Sequence, residues 1–312
     1  MTPAWNSLRS LGDVVRLVNG RQVRGMVLGL RHDIRQYGPP TTPDADLVAV
    51  TANQFESVDD ASERLRRLED RLVAREDRRS VFLTIYTRMT GRIRDRIDRG
   101  GFGETEWMRT YTTTFANYYR RAFLAFERGN LGAVPDPWRI AFGTALAGDA
   151  LVMQDAFLGI NAHINYDLAL TLRDVGIEPN RPARRADHRA VNEVLARLVD
   201  AQQRALAELY APGIADLDAT LGRVDERLSL LGLTEGREQA WRIATVLTDV
   251  DWPFVRSLTR WVLRATATGG AAFVRGPALD ATTLERLQRL ERENLAVADV
   301  LDVLQSRLDD AE

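Results

Sequence analysis

Neither cysteine nor lysine occurs anywhere in the 312 residues. The first absence excludes disulfides, thiolate nucleophiles and thiolate metal sites. The second excludes Schiff-base chemistry, and with it a pyridoxal-phosphate (PLP) enzyme of the usual kind, and a Walker-A P-loop for nucleotides. All 42 cations are therefore arginines, set against 44 carboxylates for a net charge of −2. A chain with no surplus of clustered cations is poorly equipped to hold a nucleic acid. Histidine is scarce too, confined to His32, His163 and His188. No uncharged apolar run reaches the length of about 18 residues that a membrane span needs. Met1–Trp5 carries no basic run, and Arg9, Asp13 and Arg16 interrupt the first apolar stretch, so no export signal is expected and the cytoplasm is the default compartment. Chemistry is left to carboxylates, arginines, imidazoles, hydroxyls or a divalent metal.

What is present is helical. Hydrophobic residues make up 45% of the chain, and they recur at three- and four-residue intervals with almost no β-type alternation. Residues 1–55 are the exception: Val14 to Leu30 reads as a helix or as two short strands, because Gly20, Gly25 and Gly29 weaken either assignment. From Asp59-Asp60, placed as a cap or first turn, the pattern sharpens through Leu65, Leu68 and Leu72. Phe82, Ile85, Tyr86, Met89, Ile93 and Ile97 share a second face, and Trp107 to Tyr119 mark a third helix. Asp136-Pro137 is a strong start signal. A single helix from there to Gly176 would be roughly 60 Å long, against about 50 Å for a compact chain of this size, so a break is expected near Gly148-Asp149. Asp187 reads as the opening of a helix that ends before Pro212-Gly213. Further helices cover Arg237–Val250 and the stretch from Asp251-Trp252-Pro253 to Gly269-Gly270. Leu290, Asn294, Val297, Leu301, Leu304 and Leu308 form a heptad seam. The expected architecture is all-α: one bundle of about nine helices around a central buried helix. An N-terminal extension precedes it at 1–55, the helical domain spans 56–312, and 281–310 is its heptad-patterned helix.

The central helix carries the candidate chemistry. It is apolar nearly all round, yet Asp155, Gly159, His163 and Asp167 fall at successive four-residue steps on one stripe. Carboxylates in such a place must be paired, protonated or bound to a cation. Two readings compete. One is an inert polar network, with His163 bonded to Asp167 and with Asn161 and Asn165 bridging to neighbouring helices. The other is an active-site stripe touching a pocket, with Asp155, Asn161, His163, Asn165 and Asp167 as catalytic candidates and a metal or substrate as the missing partner. Glycine at 159 suggests that something approaches the backbone there. Asp187 reads as an N-cap or, facing His163 from another helix, as a third metal ligand beside His163 and Asp167. His32-Asp33 resembles a metal-phosphohydrolase dyad without its upstream histidine and reads as loop. Asp59-Asp60 to Glu63 resembles the acidic motif of terpene synthases but sits at a helix start. The run Arg64–Arg79 alternates with acids and reads as a solvated, internally paired face. The six tryptophans read as core or rim packing.

At Val81 to Thr90, Gly101-Phe102, Trp107, Phe115 to Ala122, Pro137-Trp138, Asp187 to Asn192 and Arg237 to Trp241, and above all at Gly159-Ile-Asn-Ala-His-Ile-Asn-Tyr-Asp-Leu168, the chain resembles an uncharacterised prokaryotic family of unknown function. The resemblance runs from about Val58 to Leu247. It implies a shared helical core around His163 and Asp167 and no particular reaction.

The functional expectation is an enzyme with a pocket in the bundle core, acting on a small hydrophobic or lipid-like molecule, with hydrolysis assisted by a metal at His163 and Asp167. Asn192, Arg237, Trp241 and Tyr86 are the substrate-binding candidates, Arg237 meeting an anionic group because lysine is absent. A metal-free cyclase or isomerase of an isoprenoid-like substrate is one alternative. A non-catalytic helical protein that binds a ligand or partner is another. The heptad helix either lies along the bundle or pairs two copies in a homodimer.

Overall fold

A computed structural model describes residues 20–210, 233–276 and 297–310, together with 282, 285, 287–289 and 291. These residues form twelve α-helices and no strand. In chain order they are α1 (Gly20–Arg31), α2 (Ala45–Thr51), α3 (Val58–Val73), α4 (Ser80–Asp98), α5 (Thr105–Glu127), α6 (Asp136–Ala147), α7 (Val152–Ala162), α8 (Leu168–Val175), α9 (Arg181–Tyr210), α10 (Leu233–Asp249), α11 (Pro253–Arg275) and α12 (Val297–Asp309). The count exceeds nine for two reasons. Residues 20–51 hold α1 and α2, and a five-residue π-turn, His163–Asp167, separates α7 from α8. None of the helices is long and apolar enough to cross a membrane.

Local sequence sets several of the boundaries. Ser57 caps α3 by accepting from the Asp60 amide at 3.1 Å, with Asp59 and Asp60 in the first turn. Chain reversal after α6 falls at Gly148, whose φ of 64° is the left-handed conformation that glycine adopts without a Cβ penalty. The break expected there is real. α7, the π-turn and α8 form the central rod, flanked by α4, α5, α6, α10 and α11. Its core position follows from composition: Leu158, Ala162, Leu168, Ala169 and Leu172 are fully buried.

α1 lies along α11, and the glycines that weaken its helix propensity are what let it do so. A Cβ on Gly269 would stand 1.7 Å from the Gly25 carbonyl oxygen, and one on Gly29 would stand 2.4 Å from that of Ala265. The two backbones touch, as small residues four apart on facing helices allow.

Three expectations change. Asp187 does not open a helix; it lies inside α9, which begins at Arg181. Within the arginine-rich run, Arg79 is buried between Asp77 and Glu127, at 2.6 Å from each, so the end of that run belongs to the core. Trp107, Trp138 and Trp241 are core residues, whereas Trp252 is exposed. Leu290 and Asn294 lie outside the described residues. Leu301, Leu304 and Leu308 of the same seam are buried, on a helix that packs against α9, α4 and α3.

Candidate functional site

The π-turn organises the site. Leu168 N–H donates to the His163 carbonyl five residues back, which inserts one residue more than an α-helical turn holds. The alternating positions of the central motif face two sides, since residues two apart on a helix are about 200° apart. Asn161 donates to the Ala267 carbonyl of α11 at 2.8 Å, and Asn165 donates to the Asn161 side-chain oxygen at 3.0 Å. Room for the two amides comes from Gly270 and Gly236, where a Cβ would stand 2.3 Å and 2.5 Å from the respective side-chain oxygens.

His163 and Asp167 are buried among aromatic rings. The His163 ring stacks on Phe115 with centroids 3.6 Å apart and an angle of 7° between planes, and Tyr86 meets it edge-on at 4.4 Å. Phe82, Trp138 and Tyr119 complete the enclosure. One oxygen of Asp167 accepts from His163 Nδ1 at 2.9 Å and from Trp138 Nε1 at 2.7 Å. Burial pushes the Asp167 carboxyl up, against the pull of His163, and pushes the His163 imidazole down. Both shifts favour the neutral forms. Nδ1 is committed to Asp167, which leaves Nε2 as the second ring nitrogen. It has no partner, and neither have the other Asp167 oxygen and the hydroxyls of Tyr86 and Tyr119.

Further along the stripe, Asp155 pairs with Arg78 at 2.7 Å. Burial still pushes its carboxyl up to about 7. The backbone approach at Gly159 is made by the Phe82 side chain. The stripe thus carries two separate functions: an ion pair at one end, and the histidine–aspartate pair at the other.

Two cavities lie nearby, the larger of them against the rod. The larger, about 220 Å³, lies between α1, α10, α11 and the π-turn. Its walls are mainly apolar, from Leu28, Ala240, Ile243, Val262, Leu263 and Phe273, and its polar points include Asn161, Asn165 and Gln239. The smaller, about 30 Å³, is lined by Tyr86, Thr90, Tyr111, Phe115 and Arg237 among others. His163 and Asp167 line neither.

Of the four substrate-binding candidates, Tyr86 and Arg237 line the smaller cavity, while Asn192 and Trp241 join them through Arg237 and His188. Arg237 Nε donates to the Asn192 oxygen at 2.7 Å, and its Nη2 donates to the His188 carbonyl. Trp241 packs on the His188 ring at 5.3 Å. His188 Nε2 donates to the Arg237 carbonyl at 3.1 Å, so Nδ1 accepts from the Tyr111 hydroxyl at 2.9 Å. Burial and the adjacent Arg237 cation hold this imidazole well below its ordinary range. His188 is a neutral linker.

Asp187 stays apart from these groups. Its two oxygens accept the amides of Gly103 and Glu104 at 2.8 and 2.7 Å, so it caps the entry to α5 from a distant helix. With Asp187 so engaged, His163 and Asp167 stand as a pair. Among the described residues no group of three or more His, Asp and Glu side chains is placed to hold a metal ion. Two donors, one of them already bonded to the other, do not make a catalytic zinc site, which takes three protein ligands.

Reading the sequence missed Gln22, Gln239 and the α1–α11 glycines around the larger cavity. The signal was the spacing of small residues, Gly25 with Gly29 and Ala265 with Gly269, which marks a close helix crossing. It also missed Tyr111, which has no signature beyond its place in an aromatic-rich helix. No curated protein and no solved structure matches the chain. A family model does, from residue 58 through residue 277, starting where the resemblance starts and continuing past Leu247 across the whole of α11. The chain belongs to that family of unknown function, DUF5995.

Proposed function

We propose that this protein binds a small, mainly apolar molecule in the cavity of about 220 Å³ between α1, α10, α11 and the π-turn. The observation that carries the reading is the pairing of apolar walls with two fixed side-chain amides, the combination that holds and orients a small ligand. Asn161 is tied to α11 and Asn165 to Asn161. The Asn165 oxygen and Gln239 then remain to meet one polar end of the guest, while Ile243, Val262 and Leu263 surround the rest. Fluorescence titration with an uncharged apolar dye such as 1-aminoanthracene tests this. Ile243→Trp, which fills the cavity from one wall, weakens binding by about tenfold or more. A wild-type protein that takes up no apolar probe, or a Trp variant that binds it unchanged, overturns the reading.

A second reading, acid–base chemistry on a hydrophobic substrate, draws support from one observation: His163 Nε2 is a buried ring nitrogen without a partner, on a ring oriented by Asp167. It requires substrate to pass the ring of aromatics. Turnover of an ester or phosphomonoester that is lost in His163→Gln, with dye binding retained, supports it over binding alone.

A further inference from the structure

Arg237 is 3% exposed, and everything it touches is neutral. Its guanidinium donates to the Asn192 side-chain oxygen and to the His188 carbonyl, and it lies 3.3 Å from the unprotonated His188 Nδ1. Among the described residues no carboxylate is within ion-pair reach of it. Glu238, its sequence neighbour, is held by Arg185 and Arg189, Glu193 by Arg96, and Asp187 by backbone amides. The other buried arginines are compensated. Arg79 has Asp77 and Glu127. Arg120 donates to the Thr51 and Ala52 carbonyls, at the C-terminus of α2, where the helix dipole is negative. The carbonyl that serves Arg237 belongs to the interior of α9 and brings no such charge. A buried cation left this way is costly unless an anion joins it.

The place for one is next to it. Arg237 lines the cavity of about 30 Å³, room for one or two water-sized particles. Most hydroxyls around it are spent: Thr90 donates to the Tyr86 carbonyl, Thr112 to that of Met108, and Tyr111 to His188. Tyr86 is the exception: its buried hydroxyl lies beside that of Thr90, whose own proton is spent on a carbonyl, and it makes no hydrogen bond. One uncompensated guanidinium and one unused O–H donor therefore share an otherwise apolar chamber walled by Ile93, Met108 and Val191.

We propose that this chamber binds a single small, weakly hydrated monovalent anion of halide size, held by the Arg237 guanidinium and the Tyr86 hydroxyl. Apolar walls and few donors disfavour sulfate and phosphate, which need many hydrogen bonds to replace their water. A halide gives up its hydration more readily. The site shares no lining residue with the larger cavity, so it stands or falls independently of the ligand proposed there.

Thermal unfolding in sodium bromide against sodium fluoride at matched ionic strength is the test. Wild-type Tm rises with bromide concentration by several degrees more than with fluoride, as mass action on a folded-state site requires. Arg237→Met loses the difference. Tyr86→Phe keeps the ring, and its bromide dependence shifts to about tenfold higher concentration. Should Arg237→Met fail to fold, anomalous diffraction from wild-type crystals grown in bromide decides, with a peak expected between Tyr86 and Arg237. Equal responses to the two salts, an Arg237→Met variant that responds like wild type, or bromide found only at the surface overturns the proposal.

Discussion

Gly159→Ala sets two opposed effects against each other with sizes that the structure supplies. In an isolated helix the change stabilises by about 1 kcal/mol. Here the new Cβ would stand 2.2 Å from Phe82 Cγ, 2.5 Å from Cδ2 and 2.6 Å from Cβ. The ring cannot swing aside, because Tyr86, Trp138, Tyr119 and His163 surround it with centroids 5.5 to 5.9 Å away. The contact with Phe82 Cβ cannot be relieved by a rotamer change at all; α4 must move relative to α7. Overpacking of this kind costs about 1–3 kcal/mol, and the rigid geometry argues for the upper end. Subtracting the helix gain leaves a net loss of about 2 kcal/mol. Urea unfolding of the two proteins measures it, provided that the slope m is unchanged. Phe82→Ala alone costs about 3–5 kcal/mol by leaving a void. Because the new methyl enters part of that void, the double variant is less damaged than the sum by about 1–2 kcal/mol. A Gly159→Ala protein stabilised by its helix propensity, or a strictly additive cycle, would refute the claim that Phe82 is what approaches the rod.

The other predictions concern separate parts of the molecule. Asp187→Ala removes the acceptor for the Gly103 and Glu104 amides and lowers stability by about 1–2 kcal/mol in urea unfolding, while dye binding at the larger cavity is unchanged. Asp155, raised from an ordinary 3.8 to about 7 by burial, holds its proton more tightly in the folded state. Its contribution is therefore greatest at and below the ordinary value and declines as pH rises toward about 7. The urea midpoint of the wild type should fall over that window more than that of Asp155→Asn, and identical pH profiles would remove Asp155 as the cause. Gly269→Val forces α1 off α11, so amide exchange in 20–31 accelerates while α4 and α5 keep wild-type protection.

Much of this was written in the sequence in forms that helical periodicity preserves. The all-α class, the break at Gly148 and the His163–Asp167 bond all follow from spacing of three or four residues and from one glycine. What spacing cannot carry is an added residue within a turn. Four-residue steps from Asp155 to Asp167 suggested one stripe, and two-residue offsets already put Asn161 and Asn165 on the opposite face; what spacing could not show was the wide turn at His163–Asp167 and which neighbours each face meets. Partners distant in sequence were equally hidden. Asp187 has the composition of a cap and performs that chemistry, yet for α5, more than eighty residues earlier. Arg79 looks solvated beside its acidic neighbours until Glu127 arrives from α5 to bury it. Glycines in α1 read as defects because propensity describes an isolated helix, and their value lies in what another helix does against them.

The wide turn at His163–Asp167 also bears on how such a chain can change over time. Adding or removing one residue in a helix rotates all that follows by about 100°. Interleaved positions in the motif answer to different neighbours, Asn161 and Asn165 to the outer chamber, His163 and Asp167 to the aromatic interior. Replacements at the asparagines therefore change the lining of the outer chamber and leave the rings behind it in place. Changes among the rings can likewise shift the acidity of the buried pair without reshaping the chamber. Loss of a single residue from the turn would instead cross the two sets and spoil both at once. A point substitution in this stretch thus acts on one set of neighbours, whereas a change of length acts on both.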